Sequence, residues 1–202
     1  EESLADRQAQ QGCVDVFEIR AAREHLKKTL ATEFAEQWTA WYSSYDVSET
    51  YQANGRQIGR RALRHLALSY LCHAQPKALE WADTLLSQAD NLSDRLAALQ
   101  VLVNTGDEPI RSAALENLYE QWQHEALIVN QWFTLQAMRP SADTVEAVIQ
   151  LQTHGAFDWR NPNKIRALVG GFASANPTAF HRKDGAGYAL LGDVIARVQS
   201  AN

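Results

Sequence analysis

Apolar residues return every three or four positions along almost the whole of this 202-residue chain. That is the period of an α-helix with one buried face. Ile58, Ala62, Leu63, Leu66, Ala67, Tyr70 and Leu71 fall on one such stripe. Leu96, Leu99 and Val103 form another, followed by Leu115, Leu118 and Trp122, then Val145, Val148 and Ile149, and finally Leu191, Val194, Ile195 and Val198. No stretch alternates apolar and polar residues for long enough to compete as a strand. The expected fold class is all-α.

Helix punctuation supports the same reading. Ser93 before Asp94 reads as an N-cap followed by a favourable first-turn acid. Gly106 suits a left-handed position after a helix ending near Thr105, and Asp107-Glu108-Pro109 restarts a helix with proline in its first turn. Asp143 and Glu146 have the spacing of a capping box. Asn161-Pro162 and Asn176-Pro177 each offer a cap and a proline at the first helical position.

Pro76, Pro109 and Pro140 are 33 and 31 residues apart, and each interval holds two expected helices. A helical hairpin of that length is the unit of an α-solenoid. The tetratricopeptide signature is missing, so the expectation is irregular stacked helical hairpins, a HEAT/armadillo-like α-solenoid. Tyr45 to Gly55 reads as a polar loop too short to divide domains. Residues 1–202 are read as a single helical domain.

Composition excludes several functions. A net charge of −5 disfavours nucleic acid, whose phosphates need a clustered basic surface. The run Arg56, Arg60, Arg61 and Arg64 reads as a solvated helix face. No apolar run approaches the roughly 20 residues that span a bilayer, so no membrane is expected. The acidic start lacks the regions of a signal peptide. Two cysteines, Cys13 and Cys72, do not make a disulfide scaffold and read as buried or inert thiols in a reducing cytosol.

Catalytic motifs are incomplete. His124-Glu125 opens a zinc-peptidase H-E-x-x-H motif, but Ile128 stands where the second histidine must be. The other histidines, His25, His65, His73, His154 and His181, show no ligand spacing, so no metal site is expected. There is no G-x-S-x-G elbow, and Gly170-Gly171 lacks the preceding strand of a phosphate loop. Those glycines read as permitting close helix packing or a break. Trp81, Trp122 and Trp132 occupy apolar stripes and read as core. The segment from Trp159 to Tyr188 is polar and glycine-bearing, which fits either a functional loop or a capped turn between hairpins.

That segment carries a resemblance. Asn161-Pro162-Asn163-Lys164-Ile165-Arg166, then Asn176-Pro177 with Phe180-His181, then Asp184-Gly185-Ala186-Gly187-Tyr188, resembles the C-terminal helical domain of bacterial aminopeptidase N. Trp132-Phe133 with Leu135-Gln136-Ala137, preceded by Trp122, is similar too, as are Ile58, Arg60-Arg61 and Leu63. The resemblance implies a fragment of the C-terminal domain of a larger zinc metalloaminopeptidase of the alanyl aminopeptidase type, itself without catalytic residues. It implies zinc in the parent's catalytic domain and no cofactor in this fragment. Its implied partners are the catalytic domain of the same polypeptide and peptide substrates, in the cytoplasm. The domain would cap the catalytic chamber and restrict access.

Under that resemblance Arg166, with Asn163 one turn earlier, is the candidate lining of the substrate chamber. A guanidinium there could hold a peptide carboxylate in a bidentate contact. Equally, Asn163 could belong to the cap and Arg166 to a structural ion pair. The family's domain also runs past Asn202, so the stripe Leu191 to Val198 is expected to be left exposed. The alternative function is a free-standing helical-repeat adaptor that binds a protein partner.

Overall fold

The computed structural model describes residues 2–44 and 51–200, and every regular element among them is helical. In chain order these are α1 (Glu2–Gln10), α2 (Val16–Glu33), α3 (Ala35–Ser44), α4 (Gly55–Ala74), α5 (Ala78–Gln88), α6 (Leu92–Thr105), α7 (Glu108–Trp122), α8 (Ala126–Ala137), α9 (Thr144–Leu151), α10 (Pro162–Ile165), a π-helical turn (Arg166–Gly170), α11 (Gly171–Ala175), α12 (Pro177–Phe180) and α13 (Ala186–Ser200). Two helices do separate Pro76 from Pro109, and two more separate Pro109 from Pro140. Of the expected loop at 45–55, residues 45–50 lie outside the described residues, while 51–54 are irregular and Gly55 opens α4.

The chain divides into two compact units. One comprises residues 21–114. In it α3 lies against α4, α5 against α6, and α4 beside both α5 and α6. Ala67, Leu68, Leu71, Leu99 and Leu102 are fully buried there. Trp38 stacks on Tyr70 at 4.4 Å and donates its indole N–H to the Leu30 carbonyl at 3.0 Å.

The α4 stripe departs from expectation. Ala67 and Leu71 are buried, but Ile58, Leu63 and Leu66 are exposed, Ile58 by 54%. The buried face instead runs through Gln57, Arg61, Leu68 and Leu71. Burying Arg61 is tolerable because its guanidinium donates to Gln57 Oε1 at 3.0 Å and lies 4.6 Å from the Tyr51 ring centre. The expected solvated arginine face therefore holds a buried member.

Two caps differ as well. The N-cap of α6 is Asn91, not Ser93, and its side chain accepts from the Asp94 amide at 3.0 Å. Asp94 does sit in the first turn, but only 2% exposed, where it bonds His65. Gly106 follows Thr105 as expected, yet in extended backbone (φ −71°), not the left-handed region. Glycine is required there for space: a Cβ would lie 2.5 Å from the Leu102 carbonyl and 2.9 Å from Ile110.

The other unit joins the N-terminal residues up to Arg20 to the residues from Leu115 onward. In it Asp15 caps α2 through the Phe17 amide at 2.8 Å. Here α8 is the central element, contacting α9, α10, the π turn and α11. Phe133, Val148, Leu168 and Phe172 are fully buried around it. Trp132 is buried with its indole N–H on the Leu115 carbonyl at 3.0 Å, whereas Trp81 and Trp122 are only partly buried. Asp143 precedes α9 without capping it; its carboxylate pairs with Arg139 at 2.6 Å instead. In the last stripe Val194 is buried, Leu191 and Val198 are partly buried and Ile195 is exposed.

Both thiols are free. Cys13 is exposed, contrary to expectation, and Cys72 is partly buried, with burial pushing its thiol up to about 12.

Candidate functional site

The segment from Trp159 to Tyr188 folds as a chain of short helices whose corners are set by its asparagines and glycines. Asn161 Oδ1 accepts from the Asn163 amide at 3.0 Å, and Pro162 starts α10. Both asparagine–proline starts stand where the sequence reading put them. Asn176 does more than cap α12. It is 1% exposed, and its Oδ1 accepts from the Ala179 amide at 3.2 Å. Its Nδ2 donates to the carbonyls of Ala137 at 2.9 Å and Arg139 at 2.6 Å. One carboxamide thus ties the end of α8 to the start of α12.

The two glycines of the Asp184 motif have separate reasons. Gly185 has φ +75°, a conformation L side chains rarely adopt. At Gly187 a Cβ would lie 2.2 Å from the Phe180 carbonyl oxygen, so α13 can approach α12 only there. Asp184 Oδ1 accepts from the Ala186 amide at 3.1 Å and caps α13. Arg182 grips Asp184 at 2.7 Å and Glu146 of α9 at 2.8 Å, and donates to the Ala142 carbonyl at 2.9 Å. The Arg182 guanidinium holds the Asp184 carboxyl at about 2 and also lowers that of Glu146. His181 Nδ1 and the Tyr188 hydroxyl meet at 2.5 Å. Most of the motif is therefore architecture.

Between Asn161 and Asn176 the helix widens into the π turn. A π turn shifts the backbone ladder by one residue and is enriched at functional positions. The Thr134 hydroxyl lies 3.0 Å from the Ala167 carbonyl and 3.0 Å from that of Asn130, bracing the turn against α8. Gly171 faces Thr134 and Ala137, but a Cβ there would lie 3.6 Å and 3.8 Å from their side chains, an ordinary contact, so the packing does not require the close approach of glycine read from the sequence.

Asn163 and Arg166 sit on the outward side of this corner, both exposed. The Arg166 amide donates to the Asn163 carbonyl, which holds the two on one face. The Arg166 side chain makes no ion pair or hydrogen bond among the described residues. Between them Lys164 turns inward. It is 8% exposed, its ammonium lies 5.4 Å from the centre of Phe133, and burial lowers its pKa. The corner thus presents one free guanidinium beside a carboxamide, a pair able to take a carboxylate from solvent.

The half zinc motif has no comparable support. His124 and Glu125 lie on the exposed turn between α7 and α8, not on a helix. No group of three or more His, Cys, Asp or Glu side chains among the described residues is placed to hold a metal. No described helix is long and apolar enough to cross a membrane.

The structure also joins residues that the sequence reading kept apart. His65 Nε2 meets Asp94 Oδ1 at 2.5 Å, and Asn91 Nδ2 donates to the other oxygen at 2.9 Å. Burial raises the Asp94 carboxyl, but the bonds from His65 and Asn91 outweigh it and leave the pKa lowered. Nothing in the spacing of 29 residues signals this pair.

Comparison with known proteins gives a consistent result. The profile of a family described as "Domain of unknown function (DUF3458_C) ARM repeats" matches residues 1–202. Aminopeptidase N of Escherichia coli (strain K12) is 37% identical over 193 residues, covering 94% of this chain. Aminopeptidase N of Caulobacter vibrioides is 35% identical over 190 residues, or 93% of the chain. The chain spans only 22% of the length of each of these curated relatives, within their C-terminal region. Among solved structures, that of Legionella pneumophila aminopeptidase A in complex with aspartic acid matches with a TM-score of 0.85 and 30% identity. That match covers 93% of this chain and 23% of the solved one. The expected all-α, armadillo-like class stands.

Proposed function

The chain belongs to the DUF3458_C family of armadillo-type repeats, and on that premise we propose that it is the non-catalytic C-terminal domain of a zinc-dependent aminopeptidase. The observation that carries this is the 33–37% identity to three aminopeptidase N proteins over nearly the whole chain. In this reading residues 1–202 are part of one helical domain whose partner is the catalytic domain of the same polypeptide. The zinc, in this reading, belongs to that other domain. There it would polarise the scissile carbonyl and activate water. The parent acts in the cytoplasm, in keeping with two free thiols. The adaptor alternative has no support beyond the helical repeat itself.

This chain's contribution is access and orientation. It caps the catalytic chamber and limits which peptides enter. Arg166 holds the far carboxylate of a short peptide, and Asn163 supports it from the preceding turn. Their exposure and the unpaired guanidinium support the assignment.

The test is Arg166→Ala in the full polypeptide. Binding of short peptides with a free carboxylate weakens about tenfold, the worth of one charge-assisted contact, while neutral amide substrates change little. Equal loss on both substrates, or none, refutes the role.

A further inference from the structure

The π turn at Arg166–Gly170 is held from outside its own helix. In an α-helix the Gly171 amide would donate to the Ala167 carbonyl, four residues back. Here it donates instead to the carbonyls of Arg166 and Leu168. The Ala167 carbonyl is met by another element, the Thr134 hydroxyl of α8 at 3.0 Å. That hydroxyl lies equally 3.0 Å from the Asn130 carbonyl on its own helix. It has one proton and so donates to one of the two at a time. Two arrangements therefore satisfy both groups. In the observed one Thr134 serves Ala167; in the other Gly171 serves Ala167 and Thr134 falls back on Asn130.

The flanks of the turn differ in freedom. On one side α11 is anchored by fully buried Phe172 and by the Asn176 carboxamide that follows it. On the other, α10 is four residues long, and the chain from Asp158 to Asn161 before it is in no helix. A change of register would thus be taken up by α10. A π turn holds one residue more than the α turn it replaces. Its loss moves each residue of α10 into its predecessor's place, about 100° round and about 1.5 Å along the axis.

That exchange has a definite chemistry. Lys164 is now buried over Phe133 with no anion or hydrogen-bond acceptor among the described residues, and the lost hydration lowers its pKa. After the exchange Ile165 would lie over Phe133, and Lys164 would reach the exposed place of Asn163. Arg166, exposed in the π register, would retreat to the half-buried place of Ile165. Burying an ammonium without a counter-ion costs free energy, whereas burying isoleucine is favourable. The π register therefore needs a specific tie, and Thr134 is the side chain placed to supply it.

We propose that Thr134 is the positioning residue of this corner: its hydroxyl holds the π register and so keeps Arg166 outward and Lys164 inward. Any effect on peptides rests on the aminopeptidase reading of the parent; the register of the turn does not.

The test is Thr134→Val in the full polypeptide, with Thr134→Ser as the rescue. Valine keeps the branched shape and removes the hydroxyl proton, which serine restores. Reductive methylation of Lys164 and phenylglyoxal modification of Arg166, each followed by peptide mass spectrometry, report the two places. In Thr134→Val, Lys164 should react about fivefold faster, the population shift set by one hydrogen bond, while Arg166 reacts no faster. Thr134→Ser should return Lys164 to the parent rate. Unchanged labelling of Lys164 overturns the proposal. So does faster labelling of both side chains, which is local loosening, and so does a serine variant that behaves like valine. If the labelling follows the expected pattern but Arg166→Ala leaves short-peptide binding unchanged, the register stands and the chamber role of Arg166 alone fails.

Discussion

Replacing Asn176 tests whether the corner is held by one carboxamide. In Asn176→Ala three side-chain bonds disappear: one to the Ala179 amide and two to the carbonyls of Ala137 and Arg139. The Arg139 carbonyl keeps other donors, from the Ser141 amide at 2.8 Å and the Thr144 hydroxyl at 2.8 Å. The Ala137 carbonyl, at the end of α8, loses its side-chain donor and is left in the interior. At about 1 kcal/mol per bond, plus a similar penalty for the stranded carbonyl, the loss is about 3–4 kcal/mol. With a urea slope of about 2 kcal/mol per M, the midpoint falls by about 1.5–2 M with the slope unchanged. The assay is urea unfolding of the 202-residue chain followed by circular dichroism. Asn176→Asp discriminates between the cap and the tie. It keeps the acceptor for the Ala179 amide but sets carboxylate oxygen against two carbonyl oxygens, and should cost at least as much as alanine. An aspartate variant as stable as the parent chain, with an alanine loss near the ~1 kcal/mol of a simple N-cap, would refute the reasoning.

The His65–Asp94 pair gives an acid limb to stability. Because the folded Asp94 carboxyl titrates below its unfolded value of about 3.9, its stabilisation is complete above that pH and is lost as pH falls through the folded pKa. In Asp94→Asn, plots of stability against pH should lose that part of the slope below pH ~4; an unchanged slope contradicts it. Asp94→Ala should cost about 3 kcal/mol at neutral pH by stripping His65 and Asn91 of a buried partner, read as a lower urea midpoint. For the thiols, iodoacetamide at pH 8 should alkylate exposed Cys13 first, because a Cys72 thiol pushed up to about 12 holds almost no thiolate. Mass spectrometry showing Cys72 modified as fast as Cys13 would contradict the burial of its sulfur.

Elements that rest on local chemistry were legible in the sequence. An asparagine before a proline caps a helix at both 161 and 176, because the cap bond closes within three residues. Pairs of helices between prolines follow for the same reason. Elements that depend on partners distant in sequence were not. The α4 stripe pointed to Ile58 and Leu66, but Gln57 and Arg61 go inside because they satisfy one another beneath Tyr51. Gly106 was read as a turn conformer, whereas Ile110 and the Leu102 carbonyl dictate it by proximity. At the corner the motif residues were visible as a group. That Asn176 and Gly187 build the corner while Arg166 is left free required the packing of α8, α12 and α13. The His65–Asp94 pair had no local signal, since its members sit on α4 and α6, 29 residues apart in the chain.

Chelator-sensitive trimming by the native protein bears most directly on the assignment. An antibody raised against this chain would isolate the polypeptide that carries it, for assay of N-terminal alanine release from peptides with and without a metal chelator. The account predicts a polypeptide several times longer than this chain, with activity that disappears on chelation and returns with zinc. A native protein of about this length, roughly 200 residues, without that activity would contradict it.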